Sequence, residues 1–328
     1  MVGAGEYNCG LVPGSSAAPD KRAGVVALTL FDLRRRGVVG RILLTDAAGT
    51  RLPLARSCMA EKIGAVYRGL DTTVDCYPAD DVAFDATAYV GAFATMQPGD
   101  ACIIFTPDDT HAAIAAAAIA RGLHVLVAKP LVKRLDQHTE LAAAAKAAGV
   151  ILAVEYHKVF DPIYSDARER MRALGPFSFF SSVMTQRVEQ LDTFRAWAGR
   201  SSDISYYLNS HHIQIHTWAM AGLSRPSRVT AAASIGTGAA RLDRPGVEDT
   251  ITLLTTWDNN DGTIGHAVYM ASWVAPTADC HTQQYFHYMG RHGELRVDQA
   301  HRGYSHSASA AGGGTGALAT LNPLCESR

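Results

Sequence analysis

Two rhythms of apolar and polar positions divide this chain near residue 156. Ahead of that point, short apolar runs alternate with helix-spaced stretches. Ala23–Arg36 has apolar residues at helical spacing and ends on a basic turn, as a helix C-terminus favours. Arg41–Thr45 reads as a short buried strand followed by Asp46, Leu54–Tyr67 as a helix, and Val74–Tyr77 as a strand. Ala101–Phe105 is an apolar run that stops at Thr106–Pro107. Thr110–Arg121 is a strong, alanine-rich helix former closed by Gly122. His124–Val127 is the next strand, Leu135–Ala148 a further helix, and Ile151–Val154 the last strand of the series. This alternation predicts a parallel sheet with helices on both faces.

The second rhythm is that of a different sheet. Asp161–Leu174 reads as a helix. Phe177–Thr185, Arg228–Ser234, Thr250–Trp257, Ile264–Trp273 and Gln284–Met289 are long β-rich stretches spaced as an antiparallel sheet and not as βαβ units. Asp258–Gly262 (DNNDG) is a hairpin-turn signal. The expected organisation is an α/β domain over 1–156, an α+β domain over 157–306 and a low-complexity, flexible tail over 307–328. The apolar strands outnumber the helices able to cover them. One sheet face is therefore expected to pack on a second subunit, as a homodimer or homotetramer.

Composition narrows the function classes. Among 328 residues, 30 Lys and Arg stand against 31 Asp and Glu, a net charge of -1, which argues against a nucleic-acid partner. No apolar run is long enough to span a membrane, so none is expected. The six cysteines are scattered, with no CxxC pair, and no basic-then-apolar leader opens the chain. Reduced thiols and a cytoplasmic location are expected.

The candidate chemistry begins at Gly3-Ala4-Gly5, the opening of a dinucleotide fingerprint. Its first glycine permits a tight turn and its second lets backbone approach a pyrophosphate, so Gly3, Gly5, Glu6 and Tyr7 are candidate cofactor-binding residues. The third fingerprint position is Asn8, with Gly10 two residues later. Only two residues precede Gly3, so either the first strand is unusually short or the natural start lies upstream. Asp46 is the acidic candidate for ribose hydroxyls, at a distance that implies an insertion over Leu11–Arg22 beside the cofactor. Asp46 selects NAD, whereas Thr50 and Arg51 would accept the 2′-phosphate of NADP, and the choice stays open.

At the strand-to-helix turn stands Phe105-Thr106-Pro107-Asp108-Asp109-Thr110-His111, and the next strand ends Val127-Ala128-Lys129-Pro130. Behind the glycine turn and before a β-rich half, this pair resembles the Gfo/Idh/MocA oxidoreductases, which carry a (T/S)-P-x-x-x-H turn and then an E-K-P turn. Val154–Pro162 and Tyr207–Trp218 are similar to that family's junction and H-x-x-D blocks. The resemblance covers residues 1 to about 300. It implies a Rossmann dinucleotide-binding domain joined to an open-faced, mostly antiparallel sheet domain, and NAD or NADP as cofactor. It also implies hydride transfer at a hydroxyl or keto carbon of a sugar or cyclitol. Carried over, Lys129 binds the substrate oxygen and helps move its proton, His211 is the H-x-x-D histidine, and Thr106 and Pro107 line the cofactor. Ala128, Gln214 and Tyr207 depart from the family's acidic positions. Those departures motivate a second reading, a non-catalytic NAD(P)-binding regulatory or sensor protein on the same fold. Family members often run further, so this copy is expected to be short.

Each candidate has an ordinary alternative. Proton transfer needs a group near neutral pKa, which suits histidine, and a cation such as Lys129 stabilises a developing alkoxide. His211 and His212 diverge by about 100° on a helix, so one of them faces the substrate. Chemistry alone leaves the two close to even. His212 and His216 share a helical face, but no third ligand is evident and no metal is expected. His111 is either a cofactor contact or a helix-start histidine. Tyr156, Lys158, Gln186, Tyr207 and Asn209 form a polar-aromatic set suited to a polyhydroxylated small molecule. Phe194 and Trp197 either shape that pocket or fill the core.

Overall fold

A single bridge residue organises the first sheet. Val2 donates to Ile103 O at 2.8 Å and accepts from Phe105 N at 3.1 Å, while Thr45 N bonds Met1 O at 2.9 Å and Gly3 N bonds Thr45 O at 2.7 Å. Val2 thus lies parallel between two strands, next to Thr45 on one side and Ile104 on the other. The computed structural model describes residues 1–12, 23–275, 282–299, 303–308 and 317–321. It divides into two compact units, Met1–Glu155 and Tyr156–Arg328.

In the first unit the elements run α1 (Glu6–Cys9), α2 (Val25–Arg35), β1 (Leu43–Thr45), α3 (Leu52–Met59), β2 (Asp75–Tyr77), α4 (Ala88–Ala94), β3 (Ala101–Ile104), α5 (His111–Ala120), β4 (His124–Ala128), α6 (Leu135–Ala148) and β5 (Leu152–Glu155). Pairing is parallel throughout, in the order β2-β1-Val2-β3-β4-β5. This is the doubly wound arrangement with its topological switch at Val2, and ligands of such sheets bind beyond the strand carboxyl ends at the switch. The helix expected over Leu54–Tyr67 starts two residues earlier, with Pro53 in its first turn, and passes into a π-helical turn at Ala60–Gly64. In α5 the alanines let helix and sheet approach closely: Ala115 and Ala118 are fully buried against Ile104, Val125 and Val127.

The second unit contains α7 (Pro162–Ala173), β6 (Phe177–Arg187), α8 (Gln190–Phe194), α9 (Ser210–Met220), β7 (Ser224–Ile235), α10 (Thr237–Leu242), β8 (Glu248–Asn259), β9 (Ile264–Ala275), β10 (Gln284–Gly290), β11 (Gly293–Asp298), β12 (Gly303–Ala308) and β13 (Ala317–Leu321). They make one eight-stranded sheet, ordered β13-β12-β11-β10-β6-β9-β8-β7. It is antiparallel except at its centre, where β6 and β9 run parallel, a pair that the antiparallel expectation omitted. The stretch 307–328, expected as a flexible tail, includes the end of β12 and all of β13 at the sheet edge; its remaining residues lie outside the described ones.

Side chains of alternate strand positions fill a core of aromatic rings under α7 and α9. Phe180, Trp257, Tyr269, Phe286 and Tyr288 are buried there with Tyr164 and Ile215. Each such ring contributes roughly 2–3 kcal/mol by leaving water. On the other face Leu254, Tyr285 and Met289 are 49%, 44% and 40% exposed. At the β8–β9 turn Gly262 takes φ +84, where a side chain would be strained.

Candidate functional site

The glycine turn follows Val2 directly. Gly3 sits at φ +95, and a Cβ there would lie 2.3 Å from the Phe105 carbonyl oxygen, so only glycine fits. At Gly5 a Cβ would meet nothing within 4 Å, so the backbone borders open space. Asn8 explains the missing third glycine. It is fully buried, and its amide donates to Val2 O at 3.0 Å and Gly3 O at 2.5 Å, stitching the turn closed with a side chain. Gly10 ends α1 in the left-handed region, and a Cβ on Gly24 would lie 2.2 Å from Asn8 O. The chain therefore leaves the first helix and returns to the same spot at Gly24; the expected insertion is Leu11–Arg22. Most of it, 13–22, lies outside the described residues. Glu6 begins α1, and Tyr7 stacks on Phe105 with ring centroids 5.5 Å apart.

Asp46 ends β1 beside this turn. Its carboxylate accepts the Ala4 N–H at 2.8 Å and the Ala48 N–H at 3.0 Å, and Arg51 pairs with it at 3.4 Å. The Arg51 side chain stays 39% exposed, against 8% for Asp46. Carboxylate and guanidinium therefore share one corner, and both cofactor options from the sequence remain physically present.

Lys129 stands at the carboxyl end of β4, and its bond to Pro130 is cis. Removal from water pushes its ammonium down to about 7, an effect opposed by the carboxylates of Asp108 and Glu155. Asp108 precedes α5 and Glu155 ends β5, so neighbouring elements supply the charges. Thr106 and Pro107 form the turn after β3, and the Thr110 hydroxyl donates to the Thr106 hydroxyl at 2.7 Å. His111 opens α5 fully buried, with Nδ1 2.9 Å from Pro130 O and Nε2 3.0 Å from Thr106 O. Both of its nitrogens are thus engaged by backbone.

His211 and His212 belong to the second unit and Lys129 to the first. The two histidines do diverge on α9. The His211 ring faces His157 at 5.0 Å and Tyr156 at 6.3 Å. His212 packs near Tyr164 and Phe286, and burial, reinforced by Lys158, holds its pKa well below the ordinary histidine value. Burial also raises the Tyr156 phenol to about 12. Lys158 is buried, with its ammonium donating to Gln284, Gln299 and the Tyr164 hydroxyl. Gln186 is buried on β6, and the Asn209 amide bonds Ser205 Oγ at 3.0 Å. Tyr207 joins Phe194, Trp197 and Trp273 in an aromatic cluster, stacking on Trp273 at 5.5 Å, so Phe194 and Trp197 serve packing.

His216 is core, stacked on Phe180 at 4.3 Å with its Nδ1 2.6 Å from the Tyr269 hydroxyl, and burial pushes its pKa down to about 3. Among the described residues no cluster of three His, Cys, Asp or Glu side chains could hold a metal. The sequence reading passed over Asp108, Glu155 and His157. Asp108 and Glu155 lie inside motifs already quoted, yet only the sheet brings both carboxylates to Lys129. His157 sits one residue beyond Tyr156, and no spacing rule singles it out.

Two neutral buried histidines make stability pH-dependent. His216 binds its proton near 3 when folded and near 6.5 when unfolded, so between those values the unfolded chain holds more protons. Its contribution is complete above the unfolded pKa and is lost as the pH falls towards 3. The melting temperature of the protein should therefore drop steadily from pH about 7 to about 4, and His216→Phe should flatten that slope. An unchanged slope in the variant would place the acid sensitivity elsewhere.

No helix among the described residues is long and apolar enough to cross a membrane. Residues 61–156 match the family model described as "Oxidoreductase family, NAD-binding Rossmann fold". The uncharacterized oxidoreductase YdgJ of Escherichia coli is 35% identical over 115 residues, which cover 34% of this chain and 33% of that protein. The NAD(+)-dependent scyllo-inositol 2-dehydrogenase of Bacillus subtilis is 39% identical over 78 residues, 24% of this chain and 23% of that one. The chain thus matches a third or less of the length of these curated relatives. Among solved structures, myo-inositol 2-dehydrogenase from Lactobacillus plantarum superposes with a TM-score of 0.61 at 18% identity, covering 83% of this chain and 72% of that one. That likeness is one of fold. The family model's match over residues 61–156, the glycine turn at the head of the sheet and the Thr106-Pro107 and Lys129-Pro130 turns agree, and all of them liken the first unit to the Gfo/Idh/MocA oxidoreductases.

Proposed function

We propose that this protein is an NAD(P)-dependent dehydrogenase or reductase acting on a CH–OH carbon of a sugar or cyclitol. The observation that carries the reading is a lysine amine titrating near 7 at the carboxyl edge of a doubly wound sheet, two strands from the glycine turn. Gly3 permits the tight turn, Gly5 leaves backbone open to a pyrophosphate, and the Asp46–Arg51 corner supports these two as the candidates for the adenosine ribose. NAD or NADP, when bound, would supply the hydride acceptor or donor. Neutral Lys129 takes the proton of the substrate hydroxyl as the hydride leaves carbon, and its ammonium returns that proton to the alkoxide in reduction. His211 is the second unit's candidate for handling a proton, with Tyr156 and His157 beside it. The inositol dehydrogenases among the relatives support a cyclitol substrate. The scattered free cysteines are consistent with a cytoplasmic setting.

The decisive experiment is a screen of inositols and sugars with NAD and NADP, following reduced-nicotinamide absorbance. Turnover of a polyol supports the reading. Tight binding of a nucleotide with no turnover of any polyol favours the sensor alternative, for which the altered Ala128, Tyr207 and Gln214 positions speak.

Self-association belongs to the same proposal. Opposed across the strands, Leu254 pairs with Val268 and Val268 with Ser181, so an apolar and small-polar band runs over the open face. A second copy laid on this face would remove Leu254, Tyr285 and Met289 from water. Leu254→Glu should convert the assembly to monomer in sedimentation at micromolar concentration while the melting temperature of the protomer changes little. A native protein that sediments as monomer would refute this part.

A further inference from the structure

We infer that His111 is the positioning residue of Lys129, tying the turn that carries it to the turn that ends β3. Fully buried at the first position of α5, the imidazole places Nδ1 2.9 Å from the Pro130 carbonyl oxygen and Nε2 3.0 Å from the Thr106 carbonyl oxygen. Both contacts run to backbone, so the ring offers no nitrogen to a cofactor, the role the sequence left open for it. A ring in this position donates from one nitrogen as a neutral tautomer and from both when doubly protonated.

The consequence lies one residue away. Pro130 follows Lys129, and a contact on its carbonyl fixes the chain one residue beyond the lysine, at the exit of the turn that carries it. The neutral ring donates one hydrogen bond, from Nδ1 to Pro130 O or from Nε2 to Thr106 O, and packs its other nitrogen against the second carbonyl; Thr106 is itself held through its hydroxyl by Thr110 at 2.7 Å. Two turns on adjacent parallel strands, β3 and β4, are thereby fixed relative to each other. The carboxylates of Asp108 and Glu155 act electrostatically on the Lys129 amine.

The inference rests on the assignment of Lys129 to proton transfer, and paired variants test the two separately. In His111→Asn the amide nitrogen takes the place of Nδ1 and keeps the Pro130 contact. In His111→Gln it takes the place of Nε2 and keeps only the Thr106 contact. The expected result is kcat lowered on the order of 10²-fold in the Gln variant and within about threefold of native in the Asn variant, because a displacement of an ångström costs that much. Nucleotide Kd should stay near native in both. The Lys129 titration, followed by NMR of 13C-labelled lysine, should remain near 7 in the Asn variant and move towards the ordinary 10.5 in the Gln variant. Equal behaviour of the two variants, a loss of nucleotide affinity in step with kcat, or unfolding of both would overturn the inference. If the native protein turns over no polyol while the NMR contrast appears, the redox reading fails and the positioning role stands.

Discussion

Replacing Lys129 by alanine should lower turnover by roughly 10²–10⁴-fold while nucleotide binding persists. β4 pairs with β5 through Val125–Ala128 and ends before Lys129, so the substitution leaves that backbone pairing in place. What disappears is an amine whose ammonium has been brought to about 7 by removal from water. That value sets the sign of the pH dependence. With the neutral amine proposed as the proton acceptor in oxidation, the native rate should climb with pH and level off above about 7. In reduction the ammonium is the donor, and the rate should fall across the same interval. Lys129→Arg should not rescue oxidation, because a guanidinium stays protonated throughout. A Lys129→Ala protein with native kcat and an unchanged profile would remove the lysine from the mechanism.

The second large effect is expected at Gly3. Gly3→Ala should destabilise the protein by roughly 2–4 kcal/mol and weaken nucleotide binding more than tenfold. Two costs coincide there. The backbone is at φ +95, which an L side chain rarely adopts, and the new methyl would stand 2.3 Å from Phe105 O and 3.1 Å from Thr106 Cγ2. The carbonyl cannot step aside cheaply, because the Phe105 N–H is bonded to Val2 O at 3.1 Å within the same sheet. Gly5→Ala provides the contrast. Its Cβ meets nothing within 4 Å, so the fold should survive, and only the approach of a dinucleotide should suffer. Calorimetric melting and nucleotide titration of both variants check this. Equal melting losses in the two, or undiminished nucleotide affinity in Gly5→Ala, would contradict the account of the turn.

Much of the architecture is legible because periodicity and punctuation agree along the chain. The run Ala101–Phe105 stopping at Thr106–Pro107, and the alanine-rich helix closed by Gly122, leave little choice but a strand, a turn and a helix. What escapes the pattern are features that depend on distant partners. Asn8 reads as a defect in a glycine fingerprint, yet its amide closes the turn in the place of a third glycine. The parallel β6–β9 pair is invisible because strand direction in a sheet depends on the long excursion between the two strands, not on their own composition. Lys158 and His111 carry chemistry-bearing side chains, but one is spent on Gln284, Gln299 and Tyr164 and the other on two backbone carbonyls. Local sequence gives a residue's capability. Which partners consume it is a tertiary matter.

The central claim, that this chain moves hydride between a nicotinamide and a carbon bearing oxygen, is tested most directly by isotope transfer. A polyol deuterated at its CH–OH carbons is incubated with the oxidised nucleotide, and the nucleotide is recovered and analysed by NMR. Deuterium is expected on the nicotinamide ring with native protein, arriving roughly 10²–10⁴-fold more slowly with Lys129→Ala. Bound nucleotide that never acquires the label from any cyclitol or sugar would contradict it.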